Sequence, residues 1–397
     1  LSGLAVHDAT FAHADLTGAD LSSVDATGAN FSGGTLAGAD LAGAAIGEAD
    51  FHDTTAGGFT PDQLYATASY AAGDLAWVGF AMNDLSGWDF SGQDLTSTTF
   101  WDSTLAGADF TGATVLEAGF DRTDLTAAQL YATASYTAGS LIGIRLVQND
   151  LSGWDFSGQN LTAADFWGAT LAGADFTDAV VPYAWFSHTD LTAAQLYSTA
   201  SYAAGNLVSV DLSRNDLTGW NLAGQDLTDA GFAYATLTGA NLAGATLTYA
   251  QATQATLTDA DLAGADLTDA YLARADLTGA RLADAVLTDA TLTGADLTGA
   301  DARGAHDLSP APDTVTANLI RPDGTVDGLD LSGGGTLTVR NYVTAPLPVH
   351  VAGPPCAIAM KVAPDGLPLT GKPKTTPWKK FQVMCRPMGI ASSPVRM

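Results

Sequence analysis

Large apolar side chains, mostly Leu or Phe, recur at every fifth position through most of this chain, and a small residue, mostly Ala, stands two positions before each. The register runs through Phe11, Leu16, Leu21, Phe31, Leu36 and Leu41, and again through Leu257, Leu262, Leu267, Leu272, Leu277 and Leu282. On an α-helix, which turns about 100° per residue, apolar residues five apart spread around the surface and make no stripe. On a flat strand, where side chains alternate with period two, an odd spacing sends successive leucines to opposite faces. The chain must therefore turn once per pentad, so that each Leu and its Ala point at a common axis. A closed, four-sided coil does this.

The units Ala14-Asp15-Leu16-Thr17-Gly18, Ala260-Asp261-Leu262-Ala263-Gly264 and Ala275-Asp276-Leu277-Thr278-Gly279 resemble the A(D/N)LXX unit of the pentapeptide-repeat family. The resemblance covers residues 1–305 and implies an all-β fold, a right-handed quadrilateral β-helix with four pentads per coil. The stretch after Leu207 supports four sides by itself. There Thr follows the central Leu at 218, 238, 258, 278 and 298 and again at 228, 248, 268 and 288, with Ala223, Ala243, Ala263 and Ala283 between them. Coils of four pentads stack each set in one file, about 4.8 Å apart, and place threonine ladders on two opposite faces.

Three insertions interrupt the ladder: Thr60-Pro61-Asp62-Gln63-Leu64-Tyr65-Ala66, Thr126-Ala127-Ala128-Gln129-Leu130-Tyr131-Ala132 and Thr192-Ala193-Ala194-Gln195-Leu196-Tyr197-Ser198. Each opens with Thr and has Gln three residues later, the capping-box arrangement, and the first has Pro at the first helical position. Each closes at a glycine, Gly73, Gly139 or Gly205. The pattern predicts three short helices over about 60–73, 126–139 and 192–205, marginal alone and therefore docked on the solenoid. Leu64, Tyr65 and Ala68, with Leu130, Leu196 and their other equivalents, form the expected docking face. After each helix the small position is taken by Asn83, Trp88 and Gln93, by Asn149, Trp154 and Gln159, and by Asn215, Trp220 and Gln225. Trp does not fit a methyl-sized interior site without overpacking. Trp88, Trp154 and Trp220 are therefore read as packing anchors for the helices, with ligand stacking as the alternative.

If each sixteen-residue segment such as that between Leu125 and Leu141 replaces two sides, the helices stack on one face; if it replaces one side, successive helices rotate by a quarter turn. Past residue 305 the period dissolves. Residues 306–345, with Leu319-Ile320, a Pro322-Asp323-Gly324 turn and the alternating Thr336-Leu337-Thr338-Val339, read as a small β-rich cap that covers the last coil. Residues 346–397 hold every lysine and both cysteines, Cys356 and Cys385, and are expected to be poorly ordered. One cysteine pair favours an oxidising compartment, so an extracytoplasmic or secreted location in a bacterium is expected, with the cytoplasm as the alternative. The chain begins without Met or a signal pattern and is read as a mature form or a fragment. No apolar run is long enough to span a membrane.

Up to residue 305 there are 35 Asp and 2 Glu against 6 Arg and no Lys. Some fifteen coils at about 4.8 Å each would carry about one net negative charge per 2.3 Å, near the one per roughly 1.7 Å of duplex DNA. Such a body repels nucleic acid and attracts basic surfaces. No phosphate loop, nucleophile elbow, cofactor motif or metal spacing is present, and the six histidines are scattered. Paired acids such as Asp216 with Asp226 read as surface repetition. The expected function is a non-enzymatic acidic scaffold or protein-interaction module, with no cofactor or metal and with Asp216, Asp276 and Asp296 on its acidic face. Its expected partner is a protein with a basic surface, and end-to-end or C-terminal self-association is a further expectation. Members of the family that mimic DNA and bind topoisomerases such as gyrase supply the first alternative; a glycan- or ice-binding solenoid built on the threonine files is the second. Aspartates stacked one coil apart, as Asp276 and Asp296 should be, are expected to repel and to titrate above the ordinary carboxylate range.

Overall fold

The computed structural model describes residues 1–327 and the backbone of three further strands, Leu337–Arg340, Ala357–Lys361 and Lys380–Arg386. These residues belong to two compact units, Leu1–Asn215 and Asp216–Met397.

In both units the backbone winds in four-sided coils. The first unit pairs Ala5 with Asp25, Asp15 with Thr35 and Asp20 with Asp40, and the second runs a file from Asp216 through Thr236, Thr256 and Asp276 to Asp296. Each step is twenty residues, four pentads. Each rung joins the coils on both sides: Leu262 donates its N–H to Arg281 O at 2.7 Å, while Asp261 donates to Ala240 O at 2.9 Å. Corners close when the next Ala donates back to the central Leu, as Ala265 N–H does to Leu262 O at 3.1 Å. That turn needs a left-handed residue at its third position, and Gly264 (φ +65°) and Asp269 (φ +56°) supply it in successive pentads.

Leu262, Leu267 and Leu272 are buried in the lumen, with Ala260, Ala265 and Ala270 beside them. In the first unit the lumen also carries phenylalanine stacks. The Phe11, Phe31 and Phe51 rings lie 5.3 and 5.1 Å apart, and Phe166 lies 5.1 Å from Phe186. Each stacked pair adds roughly 0.5–1.5 kcal/mol beyond its buried area. In the second unit Ala252 occupies a central position where Leu is the rule, and a cavity of about 20 Å³ remains among Ala252, Phe232 and Leu272.

At the insertions the spacing between paired residues widens. It is 29 residues from Asp50 to Gly79, and 26 both from Gly119 to Arg145 and from Trp185 to Asp211. Arg145, Asp165 and Trp185 follow Gly119 as successive partners, so the 66-residue block covers three whole coils. Each insert thus replaces two sides, and the helices lie on one face of the first unit.

Each expected single helix is instead a pair of short turns. They are α1 (Pro61–Tyr65) with α2 (Ala68–Ala71), α3 (Ala127–Tyr131) with α4 (Ala134–Thr137), and α5 (Ala193–Tyr197) with α6 (Ala200–Ala203). The capping boxes at Thr60, Thr126 and Thr192 are present. The break between α1 and α2 comes from the coil beneath. Gly43 donates its N–H to Ala66 O, and Ala68 donates to Ala44 O, both at 2.8 Å. Thr67 is extended there and caps α2 through the Tyr70 N–H. A continuous helix would have to give up both ladder bonds. Gly73, at φ +72°, then turns the chain back into the coil.

Coil-type pairing continues past residue 305: Asp296 pairs with Val315 and Asp301 with Ile320, each nineteen residues on. Strands β1 (Leu319–Ile320) and β2 (Val326–Asp327) then form an antiparallel hairpin. Leu319, Ile320 and Val326 are buried. Strands β3 (Leu337–Arg340), β4 (Ala357–Lys361) and β5 (Lys380–Arg386) form an antiparallel sheet in the order β3-β5-β4. Strands β4 and β5 fall within the segment expected to be poorly ordered; the remainder of that segment, including Cys356 and with it the Cys356–Cys385 pairing, lies outside the described residues.

Candidate interaction surface

Where a helix replaces a side, the coils above and below lose ladder partners, and side chains of the insert supply them. Gln63 donates its amide to Leu36 O and Ala39 O, each at 2.7 Å, on the coil below. On the coil above, the Tyr65 hydroxyl accepts the Asp89 N–H, and the Tyr70 hydroxyl donates to Asp89 O at 3.0 Å. The second insert repeats this with Gln129 on Leu105 O and Ala108 O, and with Tyr131 and Tyr136 on Asp155. Burial pushes the Tyr70 and Tyr136 hydroxyls up to about 12, so both remain donors across the neutral range. The sequence reading attached no role to these Gln and Tyr hydrogen bonds, although their repetition at a fixed offset from each helix was the signal.

Asn83 stands at the small position because the chain leaves the ladder beside it. Its Oδ1 accepts the Thr54 and Thr55 N–H groups at 2.8 Å, and its Nδ2 donates to Phe51 O at 2.7 Å and Phe80 O at 3.0 Å. Asn149 does the same for Thr123 and Phe120, and Asn215 for Thr189 and Phe186. Leu64, Leu130 and Leu196 are fully buried beneath their helices, but Ala68 and Ala134 are exposed; Thr67 and Thr133 are buried in their place. Trp88 is 4% exposed, with its ring 5.5 Å from Phe59 in an edge contact, and Trp154 meets Tyr131 at 6.4 Å. Trp220, in the second unit, is buried as well.

Asp276 and Asp296 are adjacent in one file, and Asp216 lies in the same file below Thr236 and Thr256. Asp216 and Asp226 are two pentads apart, on opposite sides of the coil, and cannot act on one bond. The expectation that stacked aspartates titrate high is overturned at Asp276. Burial pushes its carboxyl up, but bonds from Thr278 and from the Thr258 hydroxyl outweigh that, and it lies below the ordinary range. The Thr218 hydroxyl and N–H likewise lower Asp216. The motif recurs around the coils: an Asp accepts the N–H of the residue two ahead, as Asp15, Asp84 and Asp175 do from Thr17, Ser86 and Thr177. These carboxylates cap corners, so most of the acidity is part of the fold. The threonine hydroxyls are engaged too, Thr228 and Thr268 on Asp226 and Asp266 at 2.6 Å.

One corner of the first unit differs. Apart from Leu1 and Leu4 at its end, every exposed large apolar side chain of this unit lies on the two adjacent sides that carry Trp77, Met82, Trp167, Val180, Tyr183 and Trp185. Thr99 and Asp89 are two pentads apart, so the Trp101 and Trp185 side is opposite α1 and its equivalents. Trp101 takes the edge of His52 at 4.9 Å, and the Arg122 guanidinium lies 5.9 Å above its ring. Arg122 also grips Asp102 with two bonds of 2.7 Å. Next along this side Arg145 bridges Asp121 at 2.9 Å and Asp165 at 3.4 Å. Burial pushes Asp165 up against the pull of the Trp167 N–H and Arg145. Aromatic residues at outward pentad positions were the available signal for this corner, and the sequence reading did not take it.

Among the described residues no group of three His, Cys, Asp or Glu side chains is arranged to hold a metal ion, and no helix is long and apolar enough to cross a membrane. The family model for pentapeptide repeats matches residues 7–43, 83–112, 140–178, 206–242, 235–272 and 270–306, in eight copies. No curated protein is similar in sequence. Similar solved structures include a pentapeptide repeat protein from the Arabidopsis thaliana thylakoid lumen, 36% identical, covering 26% of this chain and 70% of that one at a TM-score of 0.24. HetL from Nostoc sp. strain PCC 7120, involved in heterocyst differentiation regulation, is 21% identical and covers 81% of this chain and 92% of its own at 0.16. QnrB1, a plasmid-mediated fluoroquinolone resistance protein, is 16% identical and covers 58% and 88% at 0.18.

Proposed function

The chain belongs to the pentapeptide-repeat family, whose coils form a right-handed β-helix, and on that premise we propose that it is a non-enzymatic acidic scaffold that binds a protein with a basic surface. The observation that carries this is the charge of the repeat region: 37 carboxylates against 6 arginines and no lysine through residue 305, held in each unit on a frame of coils bonded rung to rung. A rigid array of one sign steers and holds a basic surface without ordering a loop first. A location outside the cytoplasm belongs to the same proposal and is tested by fractionating the producing cells.

A second reading, a DNA mimic that engages a topoisomerase, draws on the carboxylate files. Asp20 with Asp40, Asp89 with Asp109 and Asp155 with Asp175 repeat at the coil spacing of about 4.8 Å, against about 3.4 Å between phosphates along one DNA strand. Inhibition of gyrase supercoiling by the purified chain tests it. The scaffold reading is tested by titrating a purified basic protein such as lysozyme, at low and at physiological salt. Binding that persists at physiological salt supports it. Loss of all binding there leaves the acidity as a solubility device that keeps a repetitive β-fold from aggregating.

A further inference from the structure

The molecule contains one worked example of how its aromatic corner holds a cation. The Arg122 guanidinium lies over the Trp101 ring and binds both oxygens of Asp102, so a planar cation is stacked on an indole and gripped by a carboxylate at once. Farther along the same side the indole and the carboxylates recur. Trp185 is 52% exposed and pairs in its file with Asp165 on one side and Asp211 on the other. Each is one coil away, about 4.8 Å along the file. Asp165 is committed to Arg145 and to the Trp167 N–H, while the Asp211 carboxylate caps its own corner by accepting the Ser213 N–H. Trp185 is not an isolated surface apolar residue, since Tyr183 and Trp167 are exposed beside it.

We propose that Trp185, with Asp211 beside it, receives an arginine side chain of the basic partner and so repeats between two chains the arrangement that Arg122, Trp101 and Asp102 make within one. The inference rests on the scaffold reading above and names its contact. Arginine fits better than lysine for two reasons: its guanidinium is flat and weakly hydrated, so it stacks on an indole, and its fork matches a carboxylate. Net charge alone makes no such distinction, because nine lysines carry the same charge as nine arginines.

The test is fluorescence anisotropy with the full chain at physiological salt, using labelled nona-arginine and nona-lysine as probes. The wild-type chain should bind nona-arginine roughly three- to fivefold more tightly than nona-lysine, the scale of one exposed cation–π contact. Trp185→Ala should level the two affinities, and Trp185→Phe should restore part of the difference. Asp211→Asn, which keeps an oxygen for the Ser213 N–H, should weaken nona-arginine more than nona-lysine. Unchanged melting of each variant shows that the fold is intact. Equal binding of the two probes to the wild type, or a preference that survives Trp185→Ala, overturns the arginine site and leaves the scaffold reading standing. Absence of binding by either probe at physiological salt overturns both.

Discussion

An aspartate in this chain is first a corner cap. Its oxygen takes the N–H of the residue two ahead, and often a Thr or Ser hydroxyl as well, so the charged form is favoured in the fold. Asp15, Asp84, Asp109, Asp150, Asp175 and Asp216 all titrate below the ordinary carboxylate value for this reason, led by the side-chain bond from the following Thr or Ser. Because the folded value lies below the unfolded one, near 3.9, their stabilisation is present above about pH 4 and is lost as pH falls through the folded values. Asp165, raised by burial, contributes in the opposite sense. The midpoint of urea unfolding should therefore fall steadily from pH 5 to pH 2.5, and NMR should place Asp216 below 3.9. An acid-independent midpoint would remove the capping role. Asn83 is a sharper case, since it bonds four backbone groups, two of them N–H groups for which it is the acceptor. Asn83→Ala should cost about 2–4 kcal/mol in urea unfolding, because the Thr54 and Thr55 N–H groups lose their acceptor, while Phe51 O and Phe80 O keep only the Thr54 and Ser103 hydroxyls. A loss within about 0.5 kcal/mol, the range of ordinary surface changes, would contradict that.

Among the elements, the pentads were legible because one spacing excludes both helix and flat strand. The inserts were legible in part. Their Thr and Gln caps mark where helices begin, but nothing local reveals that Ala66 and Ala68 bond to the coil below and split each helix in two. Competition between a ladder and a helix is decided in three dimensions. The same holds for Asn83 and Trp88, conspicuous in sequence as misfits, whose reason is the side the helix has displaced. Gln129 is the element-scale test: Gln129→Ala removes the capping box, takes the side-chain donor from Ala108 O and leaves Leu105 O with only its corner bond from the Ala108 N–H. It should cost about 1–3 kcal/mol and raise amide exchange in α3 selectively. Uniform exchange, or no change at all, would separate α3 from the ladder. In the second unit, Ala252→Val should fill part of the small cavity beside Phe232 and Leu272 and raise stability by about 0.5–1 kcal/mol. A fall in stability would show the lumen there to be already full.

At the scale of the whole chain, charge and fold are one design. Each repeat that turns a corner with Asp also adds a negative charge to the surface, so a long solenoid becomes acidic as it grows. The sequence carried that total plainly. The exposed aromatic corner was hidden because the pentad rule draws the eye to the inward positions, while Trp77, Trp167 and Trp185 are outward. Every functional statement depends on which residues share a side, and that depends on a step of twenty residues between coils. Disulfide trapping measures it directly. With Cys356 and Cys385 replaced by Ser, a Thr236→Cys, Thr256→Cys chain places its thiols on neighbouring rungs of one file. Neighbouring rungs, about 4.8 Å apart, lie within the Cα separation of roughly 4.4–6.8 Å that a disulfide spans. That pair should close under mild oxidation in the folded chain, while Thr236→Cys, Thr246→Cys, on opposite sides of the coil, should stay reduced. Closure of the second pair in preference to the first would contradict the four-sided coil and everything built on it.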